Sequence, residues 1–282
     1  MLLTELLSQY LANHEYGVTA GHAKQLFYSV VVWQKWAGRP LRVADFTDEG
    51  LNGFIDWYRS CRKPDTVRTR RGNLLILWHW AFEEGITDVA PRRIRKLRPS
   101  SRMPQAWTVA EVRTLIATAE ALPGCLYRTP RRKAAWWASL IRAGYDTSLR
   151  LADLLSLPTA AVGGQIAVIQ HKTGRHVAVR LRPATLAAID QTLADEPRDV
   201  VWALWCGRQT FYEHFKRLVA ESQIRPGTFR WIRRTAVTQL ERVAPGQGTR
   251  LAGHTHRSTT ENWYIDRSQL DPAPLPPLEV IT

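Results

Sequence analysis

The sequence has little cysteine and lacks the common metal-binding and nucleotide-binding signatures. Cys61, Cys125 and Cys206 are odd in number and widely spaced, which argues against a disulfide framework and a CxxC metal site. A GxxxxGK[ST] loop, a DxDxDG loop and a CxxC pair are all absent. His254 and His256 are close in sequence but lack the further ligands that zinc needs. No metal and no other cofactor is therefore expected.

Long apolar runs are also missing. No segment approaches the 18 apolar residues of a membrane span, and the first segment, "MLLTELLSQYLANHEYG", carries acidic residues and no basic lead. Neither a membrane partner nor a signal peptide is predicted. Together with the cysteine usage, this favours a reducing, cytoplasmic location.

Acidic residues are scarce relative to basic ones. Lys and Arg number 39 against 25 Asp and Glu, which gives a formal net charge of +14. Such an excess favours a polyanionic partner, because phosphate neutralisation releases counterions. Most of the cations are arginines, whose planar fork can hold a phosphate through two hydrogen bonds. Nucleic acid is the first candidate, although a GC-rich genome would also enrich arginine.

The first 90 residues show apolar residues at helical spacing. The segments "AKQLFYSVVVWQKWAG" and "RGNLLILWHWAFEEG" end at Gly38 and Gly85, where helices commonly stop, and four or five short helices are predicted. Residues 91–106 contain prolines and a run of basic residues, and they are interpreted as a charged interdomain linker. The run could be a solvated tether, but charge of one sign favours contact with the DNA backbone. The residues expected to make that contact are Arg92, Arg93, Arg95, Lys96 and Arg98.

A second domain is predicted over residues 107–267. It opens with a capping box from Thr108 to Glu111, followed by an apolar pattern of helical period. Its helical stretches are interrupted by "AVGGQIAVIQHKTGRHVAVRLR", where alternating β-branched residues flank two glycine turns. The predicted fold class is therefore mainly α with a small β-meander. Residues 268–282 form a proline-rich tail.

Two cations of the second domain are candidates for holding a phosphate. Arg150 in "AGYDTSLRLADLLSLP" stands near a helix start, where N–H groups and the helix dipole favour an anion. Lys172 in "QHKTGRH" ends a strand and enters a tight Thr-Gly turn, from which it could reach into a groove. Taken alone, each residue fits an ordinary solvated surface position better than a functional one.

Two later segments add further polar candidates. In "PGTFRWIRRTAVTQLE", Arg230 and Arg233 are three residues apart and share one helix face, whereas Arg234 is expected to point elsewhere. The apolar residues among them indicate partial burial, which is costly for a cation unless it is paired. In "LAGHTHRSTTENWY", His254 follows a glycine and Tyr264 comes ten positions later.

In this order, the candidate residues resemble the active-site series of the tyrosine recombinase family, also called the phage integrase family. "DTSLRLADLLSLP" resembles the first arginine box, TG(L)R-x-x-E-L, with Asp153 at the acidic position. "FRWIRRTAVTQLE" resembles H-x-L-R-H-T-F-A-T, and "LAGHTHRSTTENWY" resembles L-G-H-S-S-x-x-T-T-x-x-x-Y. The resemblance spans nearly the whole chain. It implies a helical, SAM-like core-binding domain over residues 1–90 and a mixed α/β catalytic domain, closing around DNA as a C-shaped clamp.

The resemblance also implies a mechanism. Tyr264 is expected to be the nucleophile that forms a 3′-phosphotyrosine, with Lys172 donating a proton to the departing 5′-hydroxyl. Arg150, Arg230, Arg233 and His254 would stabilise the charge that builds on the phosphate, without metal or ATP. The acidic residue at position 153 is expected to orient Arg150 or its neighbours.

One residue departs from the family pattern. Arg230 stands where the family usually has histidine, and an arginine can bind a phosphate oxygen but is a poor proton shuttle. Phosphate positioning is expected to survive this change. Any acid-base duty of the usual histidine would pass to Lys172, His254 or water, with a reduced rate.

Three functions remain open from sequence. The first is a site-specific recombinase or integrase, acting as a homo-tetramer on synapsed double-stranded DNA and exchanging its C-terminal tail between protomers. The second is a monomeric, topoisomerase-like nicking and closing enzyme, and the third is a catalytically silent DNA-binding protein. No arm-binding domain is expected before the first helices, which favours a core site of short inverted repeats. The protein is expected in the cytoplasm, associated with the nucleoid.

Overall fold

The computed structural model describes residues 1–15, 17–98, 103–171 and 173–270. The chain forms two compact units, residues 1–102 and residues 103–282. Within the described residues, no helix has the length and apolar character needed to cross a membrane, and no group of His, Cys, Asp and Glu side chains could hold a metal ion.

The first unit is helical. Its helices are α1 (Leu3–Asn13), α2 (Ala20–Ala37), α3 (Asp48–Cys61) and α4 (Pro64–Glu83). Thr19 and Thr47 cap α2 and α3 by accepting a backbone N–H bond, and Gly38 ends α2 in the left-handed conformation with φ 69°. Aromatic rings fill the core: Phe46 stacks on Trp78 at 5.3 Å and lies 5.4 Å from Trp33.

The basic segment after α4 lies in this first unit as far as it is described. Ile94 and Leu97 pack against the helical core, while the five basic side chains expected to contact DNA are exposed. The backbone N–H groups of Arg92 and Arg93 donate to Asp48, and Arg95 Nη1 donates to Asp56 at 2.8 Å. This segment is therefore held on α3 by backbone hydrogen bonds and the Arg95 ion pair, and its five basic side chains remain exposed.

The second unit contains eight α-helices and one hairpin among its described residues. They are α5 (Val109–Glu120), α6 (Lys133–Thr147), α7 (Leu151–Leu154), β1 (Gln165–Ile169), β2 (His176–Arg180), α8 (Pro183–Ala194), α9 (Arg208–Glu221), α10 (Arg230–Val243), α11 (Gln247–Ala252) and α12 (Arg257–Trp263). The strands pair antiparallel, with Gln165 opposite Arg180 and Ile169 opposite His176. The predicted mainly helical fold with a small β element is confirmed, and the described β element is a two-stranded hairpin.

Helix α6 is the centre of the second core. Trp136 and Trp137 on this helix contact Trp205 edge to face at 4.5 and 5.8 Å, and Trp137 stacks on Phe211 at 5.1 Å. The predicted capping box is present at the start of α5, where Thr108 and Glu111 exchange hydrogen bonds. A rigid, aromatic core around α6 fixes the point at which the chain leaves that helix toward Arg150.

Candidate active site

The end of α6 sets the position of Arg150. Ser148 follows the last residue of this helix, has a left-handed backbone conformation with φ 51°, and is fully buried. This turn aims the Ser148 carbonyl at Arg233, whose Nη1 donates to it. Arg150 follows as the N-cap residue of α7, in an extended conformation. The first candidate arginine thus stands at a helix start, as predicted.

The closest partner of Arg150 is a residue that the sequence had not suggested. Arg150 Nη1 donates to Gln170 Oε1 at 2.6 Å, whereas its distance to Asp153 Oδ2 is 4.0 Å. Asp153 is 1% exposed, and its Oδ1 accepts from the His171 backbone N–H at 3.0 Å. Asp153 therefore holds the start of the hairpin turn, and Gln170 holds Arg150.

The predicted proton donor, Lys172, lies outside the described residues. The residues on either side of it are described. Gly174 N donates to Gln170 O at 2.8 Å, and Thr173 Oγ1 donates to Gln170 Oε1 at 3.0 Å. The turn between β1 and β2 is thus anchored to Gln170 on one side and to Asp153 on the other.

Helix α10 supplies three arginines that differ in their exposure to solvent. Arg230 is exposed at the first residue of the helix, whereas Arg233 is 3% exposed. Arg233 Nη2 donates to Ala252 O at 2.7 Å, and burial lowers the pKa of its guanidinium. The sequence predicted that Arg234 points away from the other two arginines, and this prediction is wrong. Arg234 lines the same cavity and donates to Trp263 O at 3.0 Å, beside Tyr264. The last turn before Tyr264 explains this, because α12 ends against the flank of α10.

His254 is a buried, neutral imidazole. Arg233 Nη2 lies 3.0 Å from Nε2, and Thr260 Oγ1 lies 2.9 Å from Nδ1. Because arginine can only donate, Nε2 must accept, and the ring proton belongs to Nδ1 and is donated to Thr260. Burial, followed by the positive charges of Arg233 and Arg150, lowers the pKa of His254 to about 4.

Tyr264 follows α12 and is held on both sides. Its N–H donates to Thr260 O at 2.9 Å, and the next residue, Ile265, packs in a small cluster with Val237 and Ala252. The carboxylate of Asp266 is 2% exposed and accepts from Ala106 N at 2.9 Å. The tyrosine ring lies 4.5 Å from the His254 ring and 5.0 Å from the Arg233 guanidinium carbon.

These side chains meet in one cavity of about 650 Å³. Its polar wall is formed by Arg150, Arg230, Arg233, Arg234, His254 and Tyr264. Among the described residues that line it, none is acidic. Clustered cations that no lining carboxylate neutralises raise the energy of the empty site, and an anion would relieve that cost. The arrangement is suited to binding a phosphate group next to a phenolic nucleophile.

Sequence reasoning missed the residues that position this set. The third box contains Thr260 without indicating a role for it, and no sequence pattern marks Gln170 or Asp266 as functional. All three are polar and at most 2% exposed. Strand alternation marks the burial of Gln170 weakly, since Ile166 and Gln170 fall on the same face of β1. Their hydrogen-bond partners are far apart in sequence and could not be read from it.

The sequence model of the phage integrase family matches residues 107–270 of this chain. No curated protein sequence matches the chain significantly.

Several solved structures share the fold at low identity. One is a lambda integrase dimer bound to a COC′ core site, at 18% identity and a TM-score of 0.77, covering 98% of this chain and 99% of that one. The Tn1549 transposon integrase in complex with transposon right end DNA gives 12% identity and a TM-score of 0.70, covering 94% and 95%. XerH recombinase bound to a palindromic difH substrate gives 14% and 0.68, covering 84% and 74%. The family match runs from Trp107 to Leu270, more than half of the sequence, and the chain belongs to the phage integrase family of tyrosine recombinases.

Proposed function

We propose that this protein is a site-specific DNA recombinase that cleaves and rejoins DNA through a 3′-phosphotyrosine on Tyr264. The observation that carries the proposal is the cavity in which Tyr264 meets Arg150, Arg230, Arg233 and His254 without a lining acidic residue. These residues come from four separate elements of the second unit. The charge of the cavity suits a phosphodiester, and the tyrosine supplies the nucleophile.

The proposed reaction has two balanced steps. The Tyr264 phenolic oxygen forms a bond to phosphorus as the bond to the 5′ oxygen breaks, and the departing 5′ oxygen takes a proton from Lys172. The tyrosine gives up its own proton to water in the same step. A 5′-hydroxyl of a partner strand then gives its proton to Lys172 and attacks the phosphotyrosine, and Tyr264 leaves and takes a proton from water. The covalent link conserves the energy of the phosphodiester, so the exchange consumes no ATP. The proposed steps also involve no metal.

Arg150, Arg230 and Arg233 would stabilise the charge on the nonbridging oxygens. His254 already donates its Nδ1 proton to Thr260, and its Nε2 accepts from Arg233, so it buttresses that arginine. Arg230 is exposed at the mouth of the cavity and replaces the histidine usual in the family. The active site would therefore rely on fixed charge more than on proton transfer.

The proposed substrate is double-stranded DNA with an inverted-repeat core site. The exposed Arg92, Arg93, Arg95, Lys96 and Arg98 of the first unit would contact its backbone. One matched structure is a lambda integrase tetramer bound to a Holliday junction. By analogy we propose a homo-tetramer on synapsed DNA. In this assembly, residues 1–90 would serve as the core-binding domain, residues 107–267 would carry out catalysis, and the 268–282 tail would be exchanged between protomers.

Covalent capture tests the proposal. Wild-type protein and Tyr264→Phe are incubated with fragmented source DNA and denatured, and the DNA attached to protein is sequenced. Adducts that require Tyr264 and share one sequence support the recombinase and reveal its site. Tight, salt-sensitive binding without any adduct would instead indicate a silent DNA-binding protein. Relaxation of supercoiled plasmid without a partner site would indicate a monomeric nicking and closing enzyme.

The tail is tested separately. Deletion of residues 271–282 should leave binding to a single site intact and abolish cooperative binding to paired sites, as measured by gel shift. Unchanged cooperativity in the truncated protein would contradict tail exchange.

A further inference from the structure

Gln170 is a fully buried polar residue directly after β1 that the family boxes quoted above do not contain. We propose that Gln170 is a positioning residue: it holds Arg150, the turn that carries Lys172 and the segment before His254 in one fixed arrangement. This inference rests on the proposed role of Arg150 in phosphate binding. It adds a residue that touches none of the reacting atoms itself.

The orientation of the Gln170 amide follows from its partners. Oε1 lies 2.6 Å from Arg150 Nη1, and an arginine can only donate. Nε2 lies 3.2 Å from the Ala252 carbonyl, which can only accept. Both contacts require the same orientation of the amide. Thr173 Oγ1, at 3.0 Å, fills the second acceptor position of Oε1. Gln170 thus uses both sides of its amide to join three separate segments.

The same contacts link the half-buried guanidinium of Arg150 to the buried guanidinium of Arg233. Ala252 O accepts from Gln170 and also from Arg233 Nη2, at 2.7 Å. A continuous path therefore runs from Arg150 through Gln170 and the Ala252 carbonyl to Arg233. Displacing the amide would disturb both arginines, because each depends on an acceptor that the amide touches.

Gly253 shows how closely this segment approaches the amide. Its φ is +63°, and a Cβ built there would lie 2.8 Å from Gln170 Nε2 and 2.7 Å from Val177 Cγ2. Only glycine fits both the backbone conformation and the space. The glycine before His254 thus makes room for Gln170.

A neutral amide has a particular advantage next to Arg150. A carboxylate at the same place would orient the guanidinium equally well, but it would cancel the charge needed at the phosphate. The nearby carboxylate, Asp153, is 4.0 Å from Arg150, and its Oδ1 is bonded to His171. Gln170 therefore fixes the direction of Arg150 and leaves its charge available.

The test measures adduct formation on DNA identified by capture, in wild-type and Arg150→Ala backgrounds. Gln170→Met keeps the length of the side chain and removes its hydrogen bonds. It should slow the wild type by about 10- to 100-fold, the loss expected from a misplaced catalytic group, and slow Arg150→Ala by less than about threefold. Gln165→Met, at the exposed first residue of β1, is the matched control and should change neither rate. Equal slowing in both backgrounds would show a merely structural role and overturn the proposal.

A second variant keeps the proposal testable if Gln170→Met folds poorly. Gln170→Glu has the same shape but adds a negative charge and replaces the Nε2 donor to Ala252 O with an acceptor, and it should slow the wild type by about 10-fold or more through charge cancellation and the lost hydrogen bond. A wild-type rate in this variant would overturn the argument for a neutral amide.

Crystal structures separate this inference from the proposed function. If the wild type forms no adduct, the proposed function fails. The role of Gln170 can still be tested by comparing the position of the Arg150 guanidinium in the wild type and in Gln170→Met. That guanidinium should move by about 1 Å or more in Gln170→Met. An unmoved guanidinium would overturn the positioning role.

Discussion

Each unit buries an arginine that has no carboxylate within ion-pair distance among the described residues. In the first unit, Arg70 is 8% exposed and donates to the side chain of Gln25 at 2.8 Å and to Ser29 Oγ at 3.3 Å. In the second, Arg233 is 3% exposed and donates to the carbonyls of Ser148 and Ala252. Both use neutral acceptors for their Nη donors, which leaves the charge uncancelled, and in both the buried Nε–H has no hydrogen-bond partner.

The surroundings of the two arginines differ. Arg70 joins α4 to α2 and lies 4.4 Å from the ring of Tyr28, so its neighbours are neutral. Arg233 shares a cavity with Arg150, Arg230 and a histidine whose pKa is depressed. A single buried cation with neutral partners connects two helices. Several cations around one cavity cost folding energy, and the binding of an anion offsets that cost.

The largest expected effect separates these two roles directly. Arg233→Met should slow adduct formation by about 100- to 1,000-fold, the usual loss when one donor to a developing charge is removed. Arg70→Met should instead lower the free energy of unfolding by about 1–3 kcal/mol, because buried acceptors lose their partner, while saturating DNA still gives the wild-type adduct rate. Adduct kinetics and urea unfolding of both variants measure the contrast. Loss of adducts in a stable Arg70→Met would break the comparison.

Acid should weaken the second unit through His254. Its pKa of about 4 lies below the ordinary value of 6.5, so between these values the unfolded chain binds more protons and stability falls as pH decreases. Between pH 7 and 5 this contribution is at most about 2 kcal/mol. His254→Gln should reduce the pH dependence of urea unfolding, whereas His256→Gln, at an exposed position, should preserve it. An unchanged slope in His254→Gln would place the acid sensitivity elsewhere.

Arg230 tests how far fixed charge replaces proton transfer. Arg230→His should raise the adduct rate by about 10-fold, a modest share of the usual benefit of acid-base catalysis. It should also introduce a pH dependence near the ordinary pKa of histidine, because the exposed side chain has room to titrate. Rates are compared across pH 5–9 on the captured site. A slower, pH-independent variant would mean that the charge of Arg230 is required.

The smallest expected effect concerns the turn before Arg150. Ser148 has φ 51° where the family box has glycine, and its hydroxyl is buried without a hydrogen-bond partner. Ser148→Gly should therefore stabilise the protein by about 1 kcal/mol. Ser222→Gly is the opposite control, since Ser222 is right-handed and its hydroxyl donates to Leu218; it should destabilise. Thermal unfolding of both variants measures these effects. A lower melting temperature for Ser148→Gly would contradict the prediction that Ser148 is strained.

The sequence by itself determined the local features of this protein. Helix ends at Gly38 and Gly85, the capping box at Thr108 and the hairpin follow from interactions over a few residues, which periodicity and turn chemistry report well. The order of the family boxes also placed Arg150, Arg233, His254 and Tyr264 on the list of candidates that line the cavity or contact it.

Only the tertiary structure decided how those candidates are held. The Gln170 amide reaches residues 20 and 82 positions away, and Asp266 reaches Ala106 across 160 positions. Sequence spacing also gave Arg234 the wrong direction, because the end of α12 draws it toward Trp263. Burial of a polar group is affordable only when distant partners satisfy it, and those partners are assigned by the packing of the whole unit. Local pattern therefore named the reactive residues, and long-range hydrogen bonding fixed their positions.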